Sequence, residues 1–333
     1  MPSTLETLRP SVAVETMRAA FVIAPGSIEV REVQKPKPGT NEVRVRVESC
    51  GVCASNLSPW AGAPWFQYPM EAGALGHEAC GVIDAVGAEV QGWEVGDRVA
   101  MLSYHAYAEY DIAAGDALIE LPAALDGVPF PGEPLGCAMN IFRRSGIVAG
   151  QTVAIIGVGF LGALLTQLAV GAGARVLAIA RRPFAQQIAR DSGAAEVISM
   201  DDHQAIIERV SEPTAGRFCD VTIEAVGKQW PLDLAGEITA ERGRLVIAGY
   251  HQDGPRQVNM QLWNWRGLDV INAHERDPRI YVEGVREAVR AVTAGELRPE
   301  SLYTHRFPLE ELGTALDMTR DRPDGFLKAL VTL

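Results

Sequence analysis

The stretch Thr152–Arg182, TVAIIGVGFLGALLTQLAVGAGARVLAIARR, restricts the possible folds of this chain more than any other. It opens on Val153-Ala154-Ile155-Ile156, an apolar run suited to a strand buried on both faces. Gly157, Gly159 and Gly162 follow, spaced G-x-G-x-x-G around Phe160 and Leu161. Ala163 to Ala172 carries apolar residues at helical spacing, and Gly173 fits the helix stop. Val176-Leu177-Ala178-Ile179 then closes a strand–helix–strand unit of roughly 30 residues. Within such a unit each glycine has its own task. Gly157 permits the tight turn, Gly159 lets backbone approach a pyrophosphate, and Gly162 lets helix and strand pack closely. The free N–H groups of the first helical turn then face the phosphates. Alone the spacing marks only a glycine-rich turn. Between a buried strand and a helix it predicts a dinucleotide site.

The end of the second strand bears on which dinucleotide. A site for NAD usually has a carboxylate there, bonded to the ribose 2′-hydroxyl. This chain has Ala180, followed by Arg181 and Arg182. A carboxylate would repel a 2′-phosphate, whereas a planar guanidinium can bind one through two hydrogen bonds. The chemistry puts NADP ahead of NAD, with two solvated arginines on a loop as the plainer reading.

The rest of the chain alternates in character. Its 333 residues suggest two domains, each able to bury a core. A formal net charge of −12 argues against nucleic acid or an anionic membrane as partner. No run approaches the apolar length of a membrane-spanning helix. The first 16 residues hold two glutamates and no apolar signal core, and read as a loose extension before a strand at Met17–Ile23. Five cysteines, at 50, 53, 80, 137 and 219, are too few and too scattered for a disulfide framework. Cys50-x-x-Cys53 does not open a helix, as a thioredoxin-like redox motif would. A reduced, cytoplasmic protein is expected.

From Arg18 to about Ala100 short alternating runs predict half-buried antiparallel strands: Ser27–Arg31, Val43–Val47, Gly81–Gly87 and Asp97–Ala100. After the glycine stretch, strands at Val197–Ser199, Val221–Gly227, Leu245–Gly249 and Val270–Ile271 alternate with helices, as a parallel sheet requires. The strands Val221–Gly227 and Leu245–Gly249 end in small residues, where a cofactor would lie against backbone, and Val226 and Gly249 are cofactor-binding candidates there. An amphipathic helix near Tyr281–Ala294 and a strand at Leu327–Leu333 form a tail that should rejoin the first module.

Four segments together resemble the medium-chain, zinc-dependent alcohol dehydrogenase superfamily: GVCASN (51–56), GHEACGVIDAVG (76–87), GDRV (96–99) and AIIGVGFLG (154–162). EPLGCAMNIFRRSG (133–146) is similar to the sorbitol and threonine dehydrogenase branch. The resemblance implies an α/β chain: a GroES-like β-rich catalytic domain over 17–137 and 272–333, and a Rossmann doubly wound parallel-sheet domain over 138–271. The cysteine-rich lobe that holds a structural zinc is absent, since GDRV passes to Ala108-Glu109-Tyr110 without a cysteine. Asn56 replaces the family's aspartate, and Ser58 stands where some members have a relay histidine.

By the same resemblance one catalytic zinc is implied, with Cys53 and His77 as ligands and either Glu78 or Glu133 as the third. Cys137 is a weaker candidate that fits the nicotinamide end better. Ser55 resembles the family's proton-relay hydroxyl, and Glu78 joins it as a catalytic candidate. The implied reaction passes hydride between NAD(P) and a secondary alcohol or its ketone, the alcohol being a polyol, cyclitol or sugar derivative. The family also implies a homodimer or homotetramer paired through the nucleotide domain. Rival readings are a zinc-free quinone or enone reductase of the same superfamily and a non-catalytic NADPH-sensing protein. The aromatics of Trp60–Tyr68 could shape a substrate pocket or simply pack beneath a loop. Trp263, Trp265, His274 and Glu275 pose the same question near the domain junction.

Overall fold

The computed structural model describes residues 15–333. The extension expected over 1–16 therefore lies outside the described residues except for its last two, and Thr16 already opens the first strand.

The first module is built from alternating strands. β1 (Thr16–Ala24) and β2 (Ser27–Gln34) form an antiparallel hairpin. β3 (Glu42–Gly51) buries Val43, Val45 and Val47 along one face and pairs antiparallel with β4 (Ala79–Val86). β5 (Arg98–Met101), β6 (Tyr110–Ala114) and β7 (Leu118–Glu120) extend the same sheet. A short helix, α1 (Leu57–Trp60), lies between β3 and β4, and the longer α2 (Gly132–Ser145) follows β7.

The second module runs β8 (Thr152–Ile156), α3 (Phe160–Gly171), β9 (Arg175–Ala180), α4 (Pro183–Asp191) and β10 (Glu196–Ser199). It continues with α5 (His203–Ser211), β11 (Cys219–Glu224), α6 (Gln229–Glu237), β12 (Thr239–Ile247), α7 (Met260–Arg266) and β13 (Asp269–Asn272). The six strands are parallel, in the order β10-β9-β8-β11-β12-β13. This is the doubly wound Rossmann order, whose ligand crevice opens at the carboxyl ends where the winding reverses, between β8 and β11. Val153, Ala154, Ile155 and Ile156 are fully buried, as a central parallel strand requires.

Two boundaries differ from the sequence pattern for physical reasons. α3 begins at Phe160 rather than Ala163, because the glycine-bounded turn is itself the helix start. β11 stops at Glu224 rather than Gly227. There the Glu224 carboxylate accepts the N–H groups of Val226 and Gly227, each at 2.7 Å, and bends the chain out of the sheet.

The chain then returns through α8 (Pro278–Thr293), β14 (Tyr303–Pro308), α9 (Leu312–Asp321) and β15 (Lys328–Thr332). Asp277 caps α8 by accepting the Arg279 N–H, so this helix starts ahead of Tyr281. β15 pairs antiparallel with β3, Leu330 opposite Gly51, and β14 lies parallel outside it. The last strands thus sit inside the first module's sheet, beside the turn that carries Cys53. α2 runs unbroken across positions 137 and 138, where a domain boundary was expected. The modules share that helix. No helix among the described residues is long and apolar enough to cross a membrane.

α2 and α8 close on each other at Gly136 and Gly284. A Cβ at Gly136 would stand 2.6 Å from Val285 Cγ2 and 2.9 Å from the Val285 backbone nitrogen. In an open helix, alanine for glycine stabilises by about 1 kcal/mol. Overpacking costs ~1–3 kcal/mol and should win here, because one obstructing atom is backbone. Gly136→Ala is therefore expected to lower the thermal midpoint by a few degrees. A raised midpoint would show that the two helices separate freely.

Candidate active site

Cys53, His77 and Glu78 form the centre of the site. One ligand atom from each lies within 4.8 Å of the other two. Cys53 follows the end of β3 and caps a single 3₁₀ turn, Ala54–Asn56, its Sγ accepting the Ser55 N–H at 3.5 Å. His77 and Glu78 precede β4. Because β3 and β4 are neighbours, the start of one strand faces the end of the other, and the donors meet there.

The geometry of the donors is fixed through Leu75, whose φ of 75° is the left-handed conformation that a branched side chain seldom adopts. Its carbonyl accepts His77 Nδ1–H at 2.8 Å and the Asn56 amide at 3.1 Å. With its proton on Nδ1, His77 keeps Nε2 for the cluster. Asn56 also accepts the Cys53 N–H at 3.2 Å and the Tyr107 hydroxyl at 3.1 Å. The asparagine that replaces the family's aspartate is thus a buried brace joining both ligand turns.

Glu78 is fully buried, and Gly51 makes room for it: a Cβ there would stand 1.9 Å from Glu78 Oε2. Lys328 of β15, only 5% exposed, places Nζ 2.5 Å from Glu78 Oε2 and donates to the Val52 carbonyl at 3.0 Å. This ion pair engages Glu78 Oε2, and Glu78 Oε1 has no hydrogen-bond partner. Burial alone would drive Lys328 toward neutrality, but the charges of Glu78, Cys53 and Glu133 hold its pKa above the ordinary lysine value. Burial likewise works against protonated His77. Its bond to Cys53 and the charges of Cys53, Glu133 and Glu78 overcome that and push its pKa up to about 10. The unpartnered Glu78 Oε1, the Cys53 sulfur and the His77 nitrogen not spent on Leu75 converge as a donor set that fits a divalent cation.

Glu133, in the first turn of α2, lies outside that tight group. Its Oε1 accepts the Tyr281 hydroxyl at 2.7 Å, and Cys137 Sγ lies 3.4 Å from it. Ser55 is half-buried beside Cys53, and Ser58 lies one turn on.

The dinucleotide side adjoins this cluster. Gly157 has a φ of 92°, and a Cβ there would strike Val226 Cγ2 at 2.4 Å. A Cβ at Gly162 would lie 2.0 Å from the Gly157 carbonyl oxygen, whereas one at Gly159 would meet nothing within 4 Å. The two outer glycines are packed and the middle one faces open space, as a pyrophosphate cradle requires. No side chain caps α3, so its first-turn N–H groups remain for an anion. Gly249 packs on Gly227, where a Cβ would lie 2.3 Å from the Gly227 nitrogen. The Phe160 ring lies tilted against that of Tyr303 at 5.8 Å and beneath Lys328 Nζ at 5.1 Å, tying the glycine turn to the Glu78 pair. Leu161 is packed, partly buried, against the core.

At the adenosine end the two arginines part company. Arg182 Nη1 donates to the Phe326 carbonyl at 2.6 Å and so holds the loop before β15. Burial, then the charges of Arg322 and Arg181, lower its pKa, and burial and Arg181 do the same to Arg322. Arg181 is exposed. Three guanidinium groups therefore gather where two were anticipated.

Other residues singled out in the sequence are structural. Trp60 is buried with Nε1 donating to Asp317 at 2.9 Å, and Tyr68 donates to the Pro59 carbonyl. Trp263 packs over Gly236, and Glu275 accepts the Arg276 and Asp277 N–H groups ahead of α8. Trp65 and Trp265 remain exposed. Lys328 and Tyr281 had been read only as parts of their elements. A lone lysine within the apolar run Phe326–Val331 was the available sign that a buried anion awaited it.

Fold and site together define a two-module oxidoreductase. Two family models match the chain, "Alcohol dehydrogenase GroES-like domain" over residues 39–125 and "Zinc-binding dehydrogenase" over 161–290. The chain belongs to the medium-chain alcohol dehydrogenase superfamily. The quinone oxidoreductase of Pseudomonas aeruginosa is 29% identical over 87% of this chain and 91% of its own. The sorbitol dehydrogenase of Halalkalibacterium halodurans is 25% identical over 86% of this chain and 90% of its own. A dehydrogenase from Sinorhizobium meliloti 1021, solved with NADP bound, is 26% identical with a TM-score of 0.83, covering 96% of this chain and 100% of that one.

The Glu78–Lys328 pair yields a prediction to be read in metal-free protein, since Glu78 also belongs to the donor set. Removing one member of a buried pair typically costs ~3–5 kcal/mol, because the other charge is left uncompensated. Lys328→Met should lower the denaturant midpoint by a corresponding amount, and adding Glu78→Gln should recover much of the loss. Equal midpoints for the single and double variants would mean that the pair does not bind the sheet together.

Proposed function

We propose that this protein is a zinc-dependent NAD(P)(H) oxidoreductase that interconverts a secondary alcohol and its ketone. The observation that carries the reading is the convergence of Cys53, His77 and Glu78, whose Oε1 has no partner, beside the open N-terminus of α3. When bound, the metal supplies a Lewis acid that lowers the pKa of a hydroxyl, and the nicotinamide ring supplies the hydride acceptor or donor. Everything else falls to the chain. Cys53, His77 and Glu78 hold the ion, Leu75 and Asn56 orient them, and Lys328 balances the charge of Glu78. Ser55, next to the cluster, accepts the alcohol proton and passes it outward, since a serine conducts a proton and is no strong base. Gly157, Gly159, Phe160, Leu161 and Gly162 receive the pyrophosphate, with Val226 and Gly249 lining the nicotinamide side.

A polyol, cyclitol or sugar derivative is the substrate class this reading favours. It is supported by the E-P-L segment, by the sorbitol dehydrogenase relative, and by the polar pair Glu133 and Tyr281 beside the donors. A zinc-free quinone reductase is the second reading, favoured by the Pseudomonas relative. Such an enzyme has no use for a thiol and an imidazole converging beside the Glu78 carboxylate. A homodimer or homotetramer is proposed through the nucleotide module. Its edge strand β13 has a partner on one side only, and Trp265 and Met260 on the adjacent α7 are 87% and 60% exposed. The five free cysteines suit a reducing, cytoplasmic setting.

The metal reading is tested by zinc content and turnover together. Parent protein should retain one zinc per chain. Cys53→Ala and His77→Ala should lose both metal and activity, while Ser55→Ala should keep its zinc and lose roughly 10²–10⁴-fold in turnover. Activity in zinc-free protein would favour the quinone-reductase reading.

For the cofactor, NADP is proposed ahead of NAD, with Arg181 and Arg322 meeting the 2′-phosphate and Arg182 holding the loop beside them. A charge-assisted bond of this kind contributes ~1.5–3 kcal/mol, about an order of magnitude or more in affinity before solvent screening. Arg181→Ala should weaken NADPH binding by that factor and leave NADH nearly unchanged, as followed by the fluorescence of the reduced ring at fixed salt. Arg182→Ala should weaken both cofactors, since it loosens a loop. A parent that binds NADH more tightly would sink the NADP preference.

A further inference from the structure

Tyr281 is a half-buried polar group beside the donor cluster with no part in the reaction as proposed above. It stands in the first turns of α8, and its hydroxyl lies 2.7 Å from Glu133 Oε1 and 2.7 Å from Cys137 Sγ. Cys137 Sγ lies 3.4 Å from the same carboxylate oxygen. Glu133 and Cys137 are one turn apart on α2, so phenol, thiol and carboxylate close a triangle between the two helices. A phenol has one proton to donate, and an ionised carboxylate can only accept. The O–H therefore goes to Glu133, and the thiol adds a weaker second bond.

That arrangement separates the two carboxylates near the cluster. Glu133 Oε1 is held by the Tyr281 hydroxyl and the Cys137 thiol, whereas Glu78, paired to Lys328 through Oε2, keeps Oε1 without a partner. Only Glu78 lies within the tight donor group with Cys53 and His77. Glu133 is nevertheless close enough for its charge to act on His77 and on Lys328. The distinction matters because of coordination number. A catalytic zinc has three protein ligands and one open position, and a zinc with four protein ligands is a closed, structural site. Were Cys53, His77, Glu78 and Glu133 all to ligate, no place would be left for substrate.

We propose that Tyr281 is the positioning residue that withholds Glu133 from the metal, assigning the third protein position to Glu78 and leaving the fourth open. The inference rests on the zinc reading above. It predicts that removing one oxygen atom, in Tyr281→Phe, frees Glu133 to close the site. The metal would then be held more tightly and the enzyme would turn over less.

Cobalt(II), whose visible absorption reports ligand number and type, is the probe. Parent, Tyr281→Phe, Glu133→Gln and the double variant are stripped of metal and titrated with cobalt, with and without cofactor. Tyr281→Phe should bind cobalt roughly tenfold to a hundredfold more tightly, show an altered visible spectrum, and lose kcat more than KM changes. Adding Glu133→Gln should restore the parent's spectrum and affinity, and Glu133→Gln alone should retain them. A Tyr281→Phe protein with the parent's spectrum and affinity overturns the proposal, as does a change that persists in the double variant. A parent that takes up no stoichiometric cobalt refutes the zinc reading itself, and this inference with it. A misfolded Tyr281→Phe would show as loss of cobalt binding, which the tighter binding predicted here excludes.

Discussion

The contact between Glu78 and Lys328 is the interaction on which the rest of this molecule depends. A carboxylate and an ammonium, both buried, are costly to take out of water, and neither survives alone. Their meeting requires β15 to lie beside β3, which carries the end of the chain back into the first module's sheet. It requires Gly51, because any side chain there would occupy the carboxylate's place. It also sets Phe160 beneath the ammonium, so the glycine turn of the second module is fixed relative to the donors of the first. One ion pair thereby orders strand pairing, the donor cluster and the approach of a dinucleotide.

Much of this was legible locally. The glycine spacing between a buried strand and a helix specified the Rossmann unit, since backbone conformation and close packing at Gly157 and Gly162 admit no other residue. Cys53 and His77-Glu78 stood out because soft donors in glycine-bounded turns are poorly explained as core. What escaped were relations between distant segments. Lys328 gives no sign in its own strand of which anion it meets. Tyr281 looks like one more residue of an amphipathic helix until α8 packs on α2. Arg182 resembles a phosphate ligand by position, yet its guanidinium is committed to the Phe326 carbonyl. Local patterns reveal which residues carry chemistry. The partners they meet are set by strand order and helix packing, which no short window contains.

The two ends of the crevice carry opposite charge, and that asymmetry gives direction to whatever lies between them. At one end the carboxylates of Glu78 and Glu133 face the single ammonium of Lys328, beside Cys53 and His77. At the other, burial and then the charges of Arg322 and Arg181 lower the pKa of Arg182, and burial and Arg181 lower that of Arg322. The uncapped amino end of α3 lies between, with a positive dipole end of its own. For the dinucleotide proposed here these fields act in the same sense. The pyrophosphate belongs at the helix terminus and a 2′-phosphate belongs among the arginines, which leaves the nicotinamide ring for the donor end. Reversing the molecule would set every charge against its neighbour.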